Sequence, residues 1–103
     1  MRGLNKVILI GNLGKKPEMR VDGDMKRASF SLATTESYKS KTGERVDVTE
    51  WHNIVIWGNL AEIAEKYLDK GMPIYIEGKL KTRSWDDEHG VKKYITEVRV
   101  DNF

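Results

Sequence analysis

The chain has 103 residues, about the size of one domain with a single modest core. It contains no cysteine, which excludes disulfides and thiolate metal sites, and no apolar run near the ~20 residues that span a bilayer, so we expect a cytoplasmic protein. Eighteen Lys and Arg against sixteen Asp and Glu leave a formal charge of +2, too small to identify a partner.

The first predicted strand covers residues 6–10 and ends near the glycines of residues 11–14. Its apolar residues fall on both faces, so both faces need cover. In a small barrel the inner face meets the core, and the outer face then needs a helix or another subunit. A polar stretch with Pro17, Asp22, Gly23 and Asp24 follows, and we place no strand in it.

Alternation predicts a second strand, with Ala28, Phe30 and Leu32 on one side. The polar residues 36–47 favour a hairpin that extends from the body, and residues 50–58 form the third predicted strand.

An apolar stripe at helical spacing predicts one helix after the third strand. Asn59 is its expected N-terminal cap, Gly71 its expected left-handed C-terminal cap, and Pro73 prevents continuation. Residues 74–85 and 94–100 form the fourth and fifth predicted strands. This all-β order, with one α-helix between strands 3 and 4, is that of the OB-fold, a five-stranded Greek-key barrel, although other small barrels also fit it.

Two predicted strands place tryptophans and cations on shared faces. Side chains two residues apart share a face, which groups Lys79, Lys81, Arg83 and Trp85 on the fourth strand and Trp51 with Trp57 on the third. If Ile54 and Ile56 enter the core, both of the latter tryptophans point outward. Exposed aromatics beside cations are typical of surfaces that stack unpaired bases and contact phosphates. The alternative is that the tryptophans line the core. Tyr38, at the base of the polar hairpin, is a further candidate platform.

Several motifs occur in a fixed order along the chain. They are GLNKVILIGNLG at residues 3–14 with Pro17-Glu18, then Thr49-Glu50-Trp51-His52, Leu60-Ala61-Glu62, Tyr67-Leu68, and YIEGKL at residues 75–80 with Thr82, Arg83 and Trp85. Together they resemble the bacterial single-stranded-DNA-binding proteins over essentially the whole chain. The resemblance implies an OB-fold homotetramer, associated with the nucleoid, that binds and protects single-stranded DNA in replication, recombination and repair. It implies neither catalysis nor a cofactor or metal.

The resemblance also assigns roles to residues. It places base stacking at Trp51, Trp57, Trp85 and Tyr38, with basic positions along the DNA path at Arg2, Lys6, Lys81 and Arg83. It places subunit contacts on the first strand, at Val7 and Leu9, and at His52 and Tyr75.

The family typically continues into a flexible tail whose acidic tip recruits replication and repair proteins. This sequence stops at Phe103. We therefore expect one OB-fold domain over residues 1–103 with no C-terminal tail present, either because the chain is truncated or because it is a short family member. The sequence then gives no basis for recruitment through such a tip.

Two other functions remain open. One is a dimeric OB-fold replication-restart protein, such as primosomal replication protein N. The other is an OB-fold nuclease with a metal in the turn that contains Asp86, Asp87, Glu88 and His89. Asp and Gly are ordinary turn residues, which explains this segment without a metal.

Overall fold

The computed structural model describes residues 2–103, which form six β-strands and one α-helix. In chain order they are β1 (Val7–Leu13), β2 (Glu18–Asp22), β3 (Met25–Lys39), β4 (Arg45–Trp57), α1 (Asn59–Tyr67), β5 (Pro73–Asp86) and β6 (Lys92–Asn102). The all-β class predicted from the sequence is confirmed.

The strand β2 corrects the prediction, which placed no strand in this segment. It pairs antiparallel with β3 and reaches it through a two-residue turn, in which Gly23 has a φ of 62°. Glycine at the first position of such a turn suits the twist of a hairpin. Every residue of β2 except Met19 is exposed, so burial leaves no periodic signal in its sequence. Residues 2–103 thus form six strands instead of the five that were predicted. The helix therefore lies between the fourth and fifth strands instead of between the third and fourth.

The strand pairings join distant parts of the chain. The sheet order is β1-β5-β6-β4-β3-β2, and β1 also pairs with β3, so five of the strands in this range form a closed circuit. The pairs are antiparallel except for β4 and β6, which run parallel at Ile54 and Val98 and at Val55 and Arg99. This parallel contact brings the last strand beside the strand that carries Trp51 and Trp57.

The hydrophobic core lies inside this circuit. Its largest fully buried side chains are Leu32, Ile54, Ile56 and Ile76, and Ala61 and Ala64 of α1 belong to the same cluster. Fully burying such a side chain stabilises a fold by about 1.5–3 kcal/mol. No polar or charged side chain among residues 2–103 is buried, so the inner face is set by apolar packing alone.

The ends of α1 differ from the prediction. The N-cap is Gly58 rather than Asn59, and no side chain caps the first turn. The helix ends at Tyr67 with Leu68 as C-cap in an extended conformation, and Gly71 adopts its positive φ of 84° in the turn that follows. No helix within residues 2–103 is long and apolar enough to cross a membrane.

The strand β1 has two apolar faces, as its sequence predicts. Val7 and Leu9 point inward and pack against the core, whereas Ile8 and Ile10 point outward and are exposed. Val7 and Leu9, which the resemblance places at a subunit contact, therefore lie on the inner face. A contact through the outer face of β1 involves Ile8 and Ile10 instead.

Candidate nucleic-acid interface

The outer face of β3 and β4 carries the first half of the candidate site. Since Ile54 and Ile56 are fully buried, alternation places Trp51, Asn53, Val55 and Trp57 on the opposite face. The register with β3 sets four residues directly across from these: Ala33, Ser31, Ser29 and Arg27. The face thus changes along its length, from an indole beside a small residue at one end to an indole beside an arginine at the other.

The outer face of β5 and β6 carries the second half. Lys79, Lys81, Arg83 and Trp85 alternate along β5, and their partners across the ladder on β6 are Arg99, Glu97, Ile95 and Lys93. Because β6 also pairs with β4, Arg99 lies beside Val55. The two halves therefore form one continuous surface, although β3 and β4 precede α1 in the sequence and β5 and β6 follow it.

Three adjoining hollows of about 210, 190 and 230 Å³ lie along this surface. All three are lined by Arg83 and Glu97, and each is smaller than the about 300 Å³ at which small-molecule sites begin. We call them together the basic groove. Among the residues described, the groove is lined by six cationic side chains and two carboxylates. The cations are Lys15, Arg20, Arg27, Lys81, Arg83 and Arg99, and the carboxylates are Glu18 and Glu97. Positive charge is therefore concentrated here, although the whole chain carries only +2.

Arg83 lies at the centre of the basic groove. Its Nε donates a hydrogen bond of 3.0 Å to Glu97 Oε1, and its guanidinium carbon lies 5.3 Å from the centre of the Trp85 ring. The Glu97 side chain is only 13% exposed, so this ion pair is better shielded from solvent than most surface pairs. Arg83 is thus oriented by a carboxylate on one strand and by an indole on its own strand.

Trp51 offers the most open aromatic surface of the three tryptophans. Its side chain is 59% exposed, compared with 43% for Trp85, while Trp57 is half-buried. One edge of the Trp51 ring rests on Gly14, where an added Cβ would lie 2.6 Å from Trp51 Cζ3. The absence of a side chain at Gly14 lets the indole lie there, and an exposed indole is a platform on which an unpaired base can stack.

Trp57 is flanked by two arginines. The guanidinium carbons of Arg27 and Arg99 lie 5.6 Å and 5.8 Å from the centre of its ring, within the range of cation–π attraction. The two side chains come from β3 and β6, the strands on either side of β4. Val55, which points the same way as Trp57, is buried among these residues even though it faces away from the main core.

Tyr38 is exposed, but alternation along β3 places it on the face opposite Ala33 and therefore opposite Trp51. The structure does not bring it onto the face that carries the three tryptophans. Near the end of the same hairpin, Arg45 forms a salt bridge with Asp47, with 3.2 Å between Arg45 Nε and Asp47 Oδ1.

The N-terminal segment is attached to β5 through Asn5. Its Nδ2 donates to the Leu80 carbonyl and its Oδ1 accepts from the Leu80 N–H, both at 2.9 Å. Arg2 and Lys6 on either side of it are exposed. These two cations therefore lie on a segment that is fastened close to Lys79.

The remaining residues assigned to subunit contacts lie in two places. His52 is half-buried, across from Leu32, and its Nε2 is 2.8 Å from the hydroxyl of Thr34. Tyr75 is exposed on the outer face, across from Ile10. The hydrogen bond that Tyr75 donates to Glu77 raises the pKa of the Tyr75 phenol, and desolvation and the charge of Glu77 add to the increase.

In the acidic turn after β5, the Asp87 side chain stabilises the backbone of the turn. Asp87 Oδ1 accepts hydrogen bonds from the backbone N–H groups of His89 and Val91, at 2.8 and 2.9 Å. Across residues 2–103 no group of three or more His, Cys, Asp or Glu side chains is arranged to hold a metal ion.

The residues of this surface that were not proposed from the sequence include Gly14, Arg27, Glu97 and Arg99, as well as Lys15, Glu18 and Arg20. Alternation already placed Arg27 on the side of its strand away from the core. No sequence signal, however, shows that Arg27 and Arg99 meet the same indole, because the three residues lie on separate strands.

Comparisons with known proteins identify the relatives of this chain. A model of the single-strand binding protein family matches residues 4–103. The chain is similar to a solved structure of the Plasmodium falciparum SSB in complex with ssDNA, with a TM-score of 0.85 and 38% identity over 98% of this chain and 90% of that one. It is also similar to a deletion mutant of the single-stranded DNA binding protein from Thermus aquaticus, with a TM-score of 0.80 and 35% identity. That match covers 97% of this chain but 49% of the Thermus chain, so this chain spans about half the length of that protein.

Proposed function

The chain belongs to the single-strand binding protein family, and we propose that it binds single-stranded DNA without sequence preference along the basic groove. One observation carries the proposal: an exposed indole at Trp51 lies on the same sheet face as the cations of the groove. Unpaired bases all present a π-face, so an indole can stack on any of them, while Arg and Lys contact the backbone phosphates.

The shape of the site favours a single strand over a duplex. The groove is a chain of shallow hollows, and the aromatic rings beside it need bases that are not already stacked and paired. The residues that we propose for the contact are Trp51, Trp57, Trp85, Tyr38, Arg2, Lys6, Lys79, Lys81 and Arg83. Tyr38 belongs to the path only where the strand passes around the edge of the β3–β4 hairpin.

We further propose an assembly that covers the outer face of β1. Ile8 and Ile10 are exposed there, next to Tyr75 on β5, and two neighbouring exposed isoleucines favour contact with another subunit. The family suggests a homotetramer. The circuit of five strands within the described range supports assignment to the five-stranded Greek-key barrel of the OB-fold. The proposed role is protection of unpaired DNA in the cytoplasm, at the nucleoid, during replication, recombination and repair, without catalysis.

Fluorescence titration tests the proposal. Oligothymidine is added to the protein at two salt concentrations, with a duplex of the same length as control. We expect quenching of tryptophan emission, an affinity that falls with salt, and much weaker binding of the duplex. Equal affinity for both DNAs would contradict the proposal. Cleavage of the DNA in magnesium would favour a nuclease, and a fixed dimer in sedimentation would favour a replication-restart protein.

A further inference from the structure

The hollow of about 210 Å³ in the basic groove has a polar lining, to which Ser29, Ser31, Asn53 and Glu97 contribute. Asn53 is two residues from Trp51 and shares its face of β4, and Ser31 lies directly across from Asn53. The hollow is smaller than the sites that hold whole small molecules. A strand that stacks a base on the neighbouring indole can therefore place only part of a nucleotide in it.

The polar side chains of this hollow have hydrogen-bonding groups that no other part of the described chain uses. Within residues 2–103 the side chains of Ser29, Ser31 and Asn53 form no hydrogen bond. The Glu97 carboxylate accepts one bond through Oε1, from Arg83 Nε at 3.0 Å, and its Oε2 accepts none from these residues. These groups are therefore available to a ligand.

Glu97 differs from the neutral side chains of the hollow because it can only accept hydrogen bonds. Serine and asparagine can donate or accept, whereas an ionised carboxylate is an acceptor alone. The two cations that also line this hollow each pair with a carboxylate, Lys15 with Glu18 and Arg83 with Glu97. The Glu97 side chain is only 13% exposed, so a ligand N–H that reaches Oε2 meets little competition from water. The hollow therefore favours a ligand group that carries an N–H donor.

Every unpaired base carries such a donor on its Watson–Crick edge. Adenine and cytosine have an amino group there, guanine has an amino group and a ring N–H, and thymine has a ring N–H. In a duplex these donors face the partner base, whereas an unpaired base offers them to a protein. A carboxylate that accepts from this edge recognises the absence of pairing and not a particular sequence.

We propose that Glu97 accepts a hydrogen bond from the Watson–Crick edge of a base that stacks on Trp51. Ser29, Ser31 and Asn53 contact the remaining polar groups of that edge, and since they can donate or accept, they tolerate all four bases. The inference rests on the proposed function and deepens it, because it adds a site for the edge of a base to the platform for its face. The site favours unpaired DNA without selecting a sequence.

The test compares two homopolymers that differ in one donor. Oligodeoxycytidine has the amino group, and an oligonucleotide of deoxyribosyl pyrimidin-2-one has the same ring with hydrogen in its place. Fluorescence titrations in mildly alkaline buffer give the ratio of the two affinities for each protein. This ratio should be about fivefold larger for the unaltered protein than for Glu97→Ala, which corresponds to the loss of one base-edge hydrogen bond. Glu97→Gln keeps an uncharged acceptor and should give an intermediate ratio.

The ratio separates a contact with the base from an indirect effect of Glu97. If Glu97 acted only by orienting Arg83, its removal would weaken binding of both strands equally and leave the ratio unchanged. Glu18→Ala is the matched control, because Glu18 lines another hollow of the groove but not this one. It removes the same charge and should leave the ratio as it is in the unaltered protein. Circular dichroism checks that each variant is folded.

Three results would contradict these expectations. Equal ratios for the unaltered protein and Glu97→Ala, with tight binding of both strands, would overturn the base-edge site and leave the proposed function intact. A fall of the ratio in Glu18→Ala as large as that in Glu97→Ala would also overturn the site, since any carboxylate of the groove would then produce the effect. Failure of the unaltered protein to bind oligodeoxycytidine and oligothymidine would overturn the proposed function as well.

Discussion

Replacing Gly14 by alanine is a small change that should separate DNA binding from folding. The new Cβ would lie 2.6 Å from Cζ3 and 3.0 Å from Cη2 of Trp51, and real Cβ atoms do not approach other atoms as closely as the first of these distances. The backbone of Gly14 is held by the hydrogen bond of 2.9 Å that its N–H donates to Ser31. The indole must therefore move, since it is the more exposed of the two partners.

The structure limits how much Gly14→Ala should change the free energy of unfolding and the affinity for single-stranded DNA. Trp51 is 59% exposed and lies outside the core cluster, so displacing its ring should change the free energy of unfolding by less than about 1 kcal/mol. The affinity for single strands should fall by up to the worth of one stacked base, about 1–3 kcal/mol, or about 5- to 150-fold.

Two measurements on the same protein test this reasoning. Urea denaturation gives the stability, and titration of a labelled oligothymidine gives the affinity. Gly3→Ala is the matched control, because nothing lies within 4 Å of a Cβ at that position. A Gly14→Ala protein that binds as tightly as the control would refute the contact between Gly14 and a functional indole. A large loss of stability would show that the backbone gives way instead of the ring.

Further expectations follow from individual contacts. Trp51→Ala should weaken oligothymidine binding by about 1–3 kcal/mol in an anisotropy titration, and a change below about twofold would remove Trp51 from the site. Arg83→Gln should lower the salt slope of binding by about 0.7, and an unchanged slope would exclude a phosphate contact there. Ile10→Asp should dissociate the proposed oligomer, as measured by sedimentation velocity. Ile63→Asp, which changes an exposed isoleucine on α1, is the control and should leave the oligomer intact. Equal sedimentation of the two variants would contradict a subunit contact through β1. Asn5→Ala removes two hydrogen bonds to β5 and should lower the free energy of unfolding by about 1–2 kcal/mol in urea, whereas no change would mean that the N-terminal segment is not fastened there.

Some features of the protein follow from its sequence because they depend on neighbours along the chain. Alternation with a period of two places Ile54 and Ile56 on one side of β4 and Trp51 and Trp57 on the other, whatever strands lie next to it. Helical spacing predicts α1, and the order of motifs identifies the family. The membership is confirmed by the family match over residues 4–103.

Local patterns predict less at the edges and ends of elements. The strand β2 is mostly exposed, so its residues show no alternation of burial, and the turn at Gly23 resembles a loop in sequence. The N-cap of α1 is Gly58 rather than Asn59. The backbone at the N-cap position has a φ of 72°, a conformation that glycine adopts readily.

The remaining features were decided by the tertiary structure. Arg27 and Arg99 meet at Trp57 only because β3 and β6 both pair with β4, and Gly14 lies under Trp51 because the residues after β1 reach β3. The sequence by itself determined which side chains point away from the core. Which of those side chains come together depends on the pairing of strands that are distant along the chain, and only the closed sheet sets that pairing.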